Sequence, residues 1–376
     1  MTTFDIEIQL LAAVIAAACA LPGVFLVLRR MAMMSDAVSH VLLLGIVVSF
    51  LLVHALGVPR NFHPALMLIG AALSGLVAVV AVEILQRSKL VREDAAIGLV
   101  FPVLFSIGVI LVSAKVRNIH LDVDAVLLGE LAFAPLRRFS FAGRDWGPQS
   151  FVLMLPVLCV NVAFVAIFYK ELKLATFDAA LAAALGFAPA ALHYMLMTVV
   201  SFTAVAAFDA VGSVLVVALM IVPAAAAYLL TDRLSRMILW SVGIAIASAI
   251  AGYWLAKWVN ANIAGAMTVT LGVVFALVLI VAPQRGLAAG IVRRFRQRRE
   301  FLQTMLAIHL FNHEGTPEEA DENRRTGLHE HLRWPPRQVD RVVDWAKNSG
   351  LVEPRGELLA LTNAGRERAR GMLGGR

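Results

Sequence analysis

The sequence is poor in charge and nearly devoid of cysteine: Asp, Glu, Lys and Arg make up 16% of its residues, and it holds 2 cysteines. Cys19 and Cys159 both lie inside apolar runs. That leaves no disulfide framework and no thiolate metal site. Such low charge excludes an ordinary soluble domain, where about a quarter of residues are charged. The phosphate-cradling pattern Gly-x-x-x-x-Gly-Lys-Ser/Thr is also missing, so ATP hydrolysis is expected from a separate protein and this chain is not read as an enzyme. No basic stretch precedes the first apolar run, which starts behind Asp5 and Glu7 and is followed by many others. It reads as a retained span rather than a cleaved leader.

What the chain has in quantity is hydrophobe, 60% of its residues, with a mean hydropathy of +0.80. A spanning helix takes roughly 20 mostly apolar residues. Such runs occur near 8–28, 37–57, 64–85, 95–114, 151–169, 189–208, 211–230, 237–258 and 266–282. The fold class expected is therefore an all-α polytopic membrane protein of about eight or nine spans, carrying a small α+β domain at its C-terminal end. The boundary falls where the composition turns soluble, giving a transmembrane domain over 1–290 and a second domain over 291–376.

Net charge is +7, yet much of the excess is arginine beside apolar runs, as in Arg29-Arg30 and the series Arg293, Arg294, Arg296, Arg298 and Arg299. Basic residues so placed mark a cytoplasmic membrane surface with its anionic lipid. Alternate connections carry Arg29 and Arg30, then Arg87, Lys89 and Arg92, then Lys170 and Lys173, then Arg233 and Arg236, on the same side as the arginine series. This predicts a plasma-membrane protein with a cytoplasmic C-terminus. The opposite connections are basic mainly in one long loop, 115–150, whose Asp122, Asp124, Glu130 and Asp145 suggest a partly structured external segment.

Ionisable residues inside apolar runs are expensive and tend to face a cavity or a partner, so Asp36, His40, Glu83 and Asp209 stand out. Asp36 and His40 are four apart and share one face if the segment is helical. Carboxylate oxygen with imidazole nitrogen suits Mn²⁺, Zn²⁺ or Fe²⁺ and does not suit Cu⁺. Two ligands are too few for any of these ions, so a second copy of the motif across a two-fold axis, with water, is needed to fill the shell. On spacing alone the commoner account is a capping aspartate and a hydrogen-bonding histidine. Glu83 is placed to pair with Arg87 one turn on. Asp209, and with less support Asp124 and Glu130, would attract an incoming cation; solvated carboxylates are the plainer account of the last two.

Five blocks in order resemble the permeases of the manganese, zinc and iron uptake ABC transporters. They are Arg30-Met-Ala-Met-Met-Ser-Asp36-Ala-Val-Ser-His40 with Gly45; Leu90 to Gly98; Leu121-Asp-Val-Asp-Ala-Val-Leu-Leu-Gly-Glu130; Phe168-Tyr-Lys-Glu171 through Phe177-Asp178 to Ala184-Leu-Gly186; and Ala207-Phe-Asp through Pro223 with Thr231 to Arg236. Leu44 departs from the pattern, standing where many relatives carry proline. The resemblance implies that Asp36 and His40 are intramembrane ligands for a transported Mn²⁺ or Zn²⁺, with Fe²⁺ possible, manganese foremost, and that no cofactor is permanently bound. It implies alternating access in a dimer, with a second copy or a paralogue, cytoplasmic ATPase subunits and an extracytoplasmic metal-binding protein as partners. It also makes the 170–187 segment the helix that contacts the ATPase, through Glu171, Phe177, Asp178, Ala183, Leu185 and Gly186. The rivals are an ion-coupled secondary metal transporter and a membrane-tethered, metal-responsive DNA-binding regulator.

That second rival comes from the tail. Its pattern reads as helices over 300–311, 319–332 and 335–348, strands at 351–352 and 358–361 around Arg355-Gly356, and a helix from Thr362. This is the order of a winged helix, and Gly350-Leu-Val-Glu followed by Leu-Ala-Leu-Thr-Asn-Ala-Gly resembles the wing of bacterial metal-dependent repressors. Arg337, Gln338, Arg341 and Lys347 would face DNA. From Glu300 onward, however, acidic residues slightly outnumber basic ones, so nucleic acid is not the expected partner. His309 and His313, with Glu314 beside them, form a candidate cytosolic metal-sensing site.

Overall fold

In the computed structural model, residues 3–56, 63–115, 129, 131–141, 144–283 and 285–373 are described. The chain divides into two compact units, Met1–Pro283 and Gln284–Arg376.

The first unit is a bundle of long apolar helices: α1 Thr3–Leu28, α2 Ala32–Ala55, α3 His63–Arg87, α4 Glu93–Lys115, α5 Gln149–Ile167, two short helices α6 Tyr169–Phe177 and α7 Ala179–Ala184, then α8 Pro189–Leu230, α9 Leu234–Val259 and α10 Ile263–Val281. Between α4 and α5 come a 3-10 turn, Leu131–Leu136, and an antiparallel hairpin, β1 Arg138–Phe141 with β2 Arg144–Pro148. Among the described residues, 8 helices are long and apolar enough to cross a membrane. α1 and α8 are the most enclosed of them, and α4 is the least. The core runs along α1, where Leu11, Ile15, Ala16, Ala18, Cys19 and Phe25 are fully buried. Side chains such as Leu239, Val273 and Ile280 stay exposed, as a lipid-facing surface requires.

Small residues set the closest approaches. A Cβ on Gly23 of α1 would lie 1.9 Å from the Met220 carbonyl oxygen of α8, so only glycine admits that backbone contact.

The two spans read over 189–208 and 211–230 are two helices of one continuous 42-residue stretch, parted at Gly212 (φ 74°, ψ 169°). A straight helix of that length would measure about 63 Å, roughly twice a bilayer core. It instead reverses. Tyr194 bonds Glu83 near the end of α3, and Asp209 meets Arg137 beside the hairpin. Met220 is back against Gly23 and Ser35, near the Arg29 end of α1. Gly212 adopts a backbone conformation that costs L-residues free energy, and so permits the turn.

The second unit has its own core of Leu302, Leu306, Leu310, Leu328, Val342, Val343, Leu351 and Leu361. Its elements are α11 Leu287–His313, α12 Glu319–Glu322, α13 Leu328–His331, α14 Pro336–Asn348, strands β3 Val352–Arg355 and β4 Leu358–Leu361, and α15 Asn363–Leu373. β3 and β4 pair antiparallel from Val352↔Leu361 to Arg355↔Leu358, and Arg324 adds an isolated bridge to Leu358. The helix read over 300–311 starts earlier, at Leu287, and the one read over 319–332 is two short turns divided around Arg324. The first strand extends to Arg355.

Candidate functional site

A tight connection carries the chain from α1 into α2. Arg30 takes a left-handed conformation (φ 61°), Met31 occupies the cap position with no side-chain hydrogen bond, and α2 begins at Ala32. Asp36 is therefore inside the helix. The capping account of this residue is overturned.

Asp36 and His40 do share a face, with Asp36 Oδ1 3.3 Å from His40 Nε2. The neighbouring face of α2 is closed: Ser35 Oγ donates to Met220 Sδ at 3.1 Å, and Ser39 Oγ donates to the Ser35 carbonyl at 2.9 Å. The Asp36 side chain is 47% exposed and that of His40 34%. His40 rests on α4, stacked on Phe101 with ring centres 5.7 Å apart and edge-on to Phe105 at 6.0 Å. These rings orient the imidazole without supplying a ligand. Leu44 does not bend the helix: α2 continues through it to Ala55, and Gly108 of α4 packs against its backbone.

Glu83 accepts from Arg87 Nη2 at 2.7 Å, as the spacing predicts, and also from the Tyr194 hydroxyl. Asp209 lies 3.7 Å from Arg137 and lines a small recess with Phe133, Ala134, Ser150 and Ala210. Asp122, Asp124 and Glu130 lie outside the described residues. Asp145, in the hairpin, pairs with Arg138; the Gly147 amide donates to its carboxyl and holds it below the usual carboxylate range.

Several polar groups escaped the sequence reading. Asp5, read only as a flank, accepts from Lys257 Nζ at 2.9 Å and from the Tyr253 hydroxyl at 2.5 Å, tying the ends of α1 and α9 together. Asn161 Nδ2 donates to the Ala18 carbonyl at 2.8 Å and to Thr203 Oγ1 at 2.9 Å, joining α1, α5 and α8 inside the apolar bundle. The partners lie 143 and 42 residues away, so no local pattern announces them.

The 170–187 segment is two helices, with Asp178 as the joint: its Oδ1 accepts from the Leu181 amide at 2.9 Å and caps α7. Leu172 and Ala182 are buried, whereas Phe177 (62% exposed), Leu181, Leu185 (61%) and Phe187 present apolar surface. Ala183 is exposed, Glu171 is half-buried, and Gly186, with φ 87°, ends the segment in the left-handed region.

In the second unit, Glu314 does not join His309 and His313. It forms a two-pronged pair with Arg366 (Oε1 to Nη2 2.6 Å, Oε2 to Nε 3.0 Å), and this hydrogen bonding holds its carboxyl below the ordinary value. Glu322 takes its place, with its Oε2 3.6 Å from His309 Nε2 and 2.9 Å from His331 Nδ1. Burial lowers the pKa of His309. Arg337, Arg341 and Lys347 lie exposed on α14.

Comparison with known proteins follows these contours. The family described as "ABC 3 transport family" matches residues 2–282. The zinc transport system membrane protein TroD of Treponema pallidum is 46% identical over 360 residues, covering 96% of each chain. The manganese transport system membrane protein MntD of Bacillus subtilis is 44% identical over 298 residues, which is 79% of this chain and 99% of the relative. The match to TroD thus reaches into the second unit. Among solved structures, "PsaBC from Streptococcus pneumoniae in complex with Fab" superposes with a TM-score of 0.61 at 27% identity, covering 76% of this chain and 94% of that one.

Proposed function

This chain belongs to the ABC 3 transport family, and we propose that it is the membrane-spanning permease of an ATP-driven importer of divalent transition metals, manganese foremost and zinc next. It is a multi-pass protein of the bacterial inner membrane. It holds no ATPase motif of the phosphate-cradle kind, and the hydrolysing subunit is a separate protein.

One observation carries the metal site: Asp36 and His40 point from one face of a membrane helix and remain 47% and 34% exposed, with aromatic rings against His40. A carboxylate so placed does not face hydrocarbon, because the free-energy cost is too high. It faces a conduit or a second subunit. A second permease copy or paralogue across this face would bring another carboxylate and imidazole, neutralise a dication and complete a shell that two ligands leave open. Alternating access then exposes the site to each side in turn, with Asp209 at the entrance beside Arg137 and an extracytoplasmic binding protein delivering the ion.

The 170–187 segment is the contact with the ATPase. Its support is the apolar surface of Phe177, Leu181, Leu185 and Phe187, held out on a short capped helix that a groove on a partner would cover. The arginine series at the start of α11 supports a cytoplasmic C-terminal unit. The order of helices α11 to α14 before a two-stranded hairpin, with the Arg324 bridge to it, supports a winged-helix reading of that unit. From Glu300 onward its charge is balanced, which favours a protein contact over DNA.

The test is ATPase activity of the reconstituted complex. Mn²⁺ with its binding protein stimulates the wild type, and Asp36→Ala removes the stimulation while leaving basal hydrolysis intact. Equal stimulation of both would refute the assignment.

A further inference from the structure

We propose that the C-terminal unit carries a zinc site of its own, formed by His309, His313, Glu322 and His331. It stands independently of the transport reading.

Three elements converge to make it. His309 and His313 lie one turn apart at the end of α11, Glu322 ends α12 and His331 ends α13. Ligand atoms of His309, His313 and Glu322 all fall within 4.8 Å of one another. The His309 ring centre is 5.0 Å from that of His313 and 6.2 Å from that of His331. His331 Nδ1 already touches Glu322 Oε2 at 2.9 Å, which brings the fourth group to the same carboxylate. A tetrahedral zinc site with bonds of about 2.1 Å needs ligand atoms roughly 3.4 Å apart. Closing the group around an ion takes rotamer shifts that release His309 Nε2 from the Glu322 carbonyl oxygen, 3.1 Å away.

The donor set identifies the ion. Three imidazole nitrogens and one carboxylate oxygen match four-coordinate zinc in number and softness, whereas a hard ion such as Mg²⁺ or Ca²⁺ asks for six or more oxygens. Burial matches a retained ion as well: the side chains of His309, His313 and His331 are 12%, 26% and 27% exposed and that of Glu322 22%. Glu318 sits at the rim, 3.7 Å from His313 Nδ1 and 73% exposed, and is not needed.

A carboxylate bridging two histidines would explain Glu322, His309 and His331 without a metal. It leaves His313 unexplained. The ring of His313 is the nearest imidazole to His309, yet its carboxylate neighbour is the solvent-facing Glu318.

The experiment uses the full chain in detergent, with Asp36→Asn and His40→Gln silencing the membrane pair. After equilibration with micromolar free Zn²⁺ and dialysis, the expected content is about one zinc per chain. His313→Gln with His331→Gln removes two of the four ligands and lowers affinity by more than about a hundredfold, beyond the scale on which groups that only support a ligand act. Zinc K-edge X-ray absorption on the chain with its tail unaltered should show a first shell of nitrogen and oxygen with imidazole scattering, a readout free of any folding defect in the variants. Zinc content near zero, undiminished zinc in the tail variant, or a shell lacking imidazole would overturn the site.

Discussion

The two units hold the same kinds of metal-ligating side chain in opposite arrangements. In the membrane unit, one carboxylate and one imidazole lie on a single helix turn, backed by Phe101 and Phe105, with one side left open. In the C-terminal unit, three imidazoles and a carboxylate from three elements meet among their own kind. A shell shared between two subunits opens when they part and lets the ion leave, which conduction demands. A shell supplied by one chain retains its ion. On the proposed assignments, the number of ligands a single chain supplies separates passage from storage, even where the ligand types are identical.

That contrast can be broken deliberately. Phe101→His sets a third donor beside His40 on the membrane side. Bound manganese per purified complex should rise while metal-stimulated ATPase turnover falls by roughly tenfold, because a better-filled shell releases its ion more slowly. Unchanged turnover would show that the pair does not touch the ion in transit.

A smaller effect sharpens the other half. The Arg366 guanidinium holds the Glu314 carboxyl below its ordinary value of 4.5. Because the folded value is depressed, the pair's stabilisation is whole above pH 4.5 and disappears as pH falls through the lower folded value. The side chains are each 31% exposed, so the contribution is modest. Glu314→Gln should raise amide exchange in α15 by about two- to fivefold at pH 7, the modest effect of a partly exposed pair. Below the folded value, variant and wild type should exchange alike. Zinc content should stay the same in this variant, since Glu314 is committed to Arg366 rather than to the histidines.

Much of the membrane bundle was legible because apolar runs are long and the bilayer fixes their length. The pair Asp36 and His40 was legible as well, since helical spacing alone puts them on one face. Local pattern had less to say where two ends of the chain meet. Asp5 finds Lys257 and Tyr253 across 252 and 248 residues, and Tyr194 finds Glu83 across 111. The two helices expected over 189–208 and 211–230 are present, and the positive φ of Gly212 supplies the turn between them. In the tail, proximity in sequence misled: Glu314 adjoins His313 yet turns to Arg366, and the carboxylate that reaches the histidines is Glu322, held by the short helix that follows.

The most direct measurement is uptake of radioactive manganese by cells whose only manganese importer contains this permease. The wild-type chain should accumulate the ion, and Asp36→Ala and His40→Ala, present in the membrane at equal abundance, should each reduce the initial rate to background. Uptake at the wild-type rate by either variant would contradict the account.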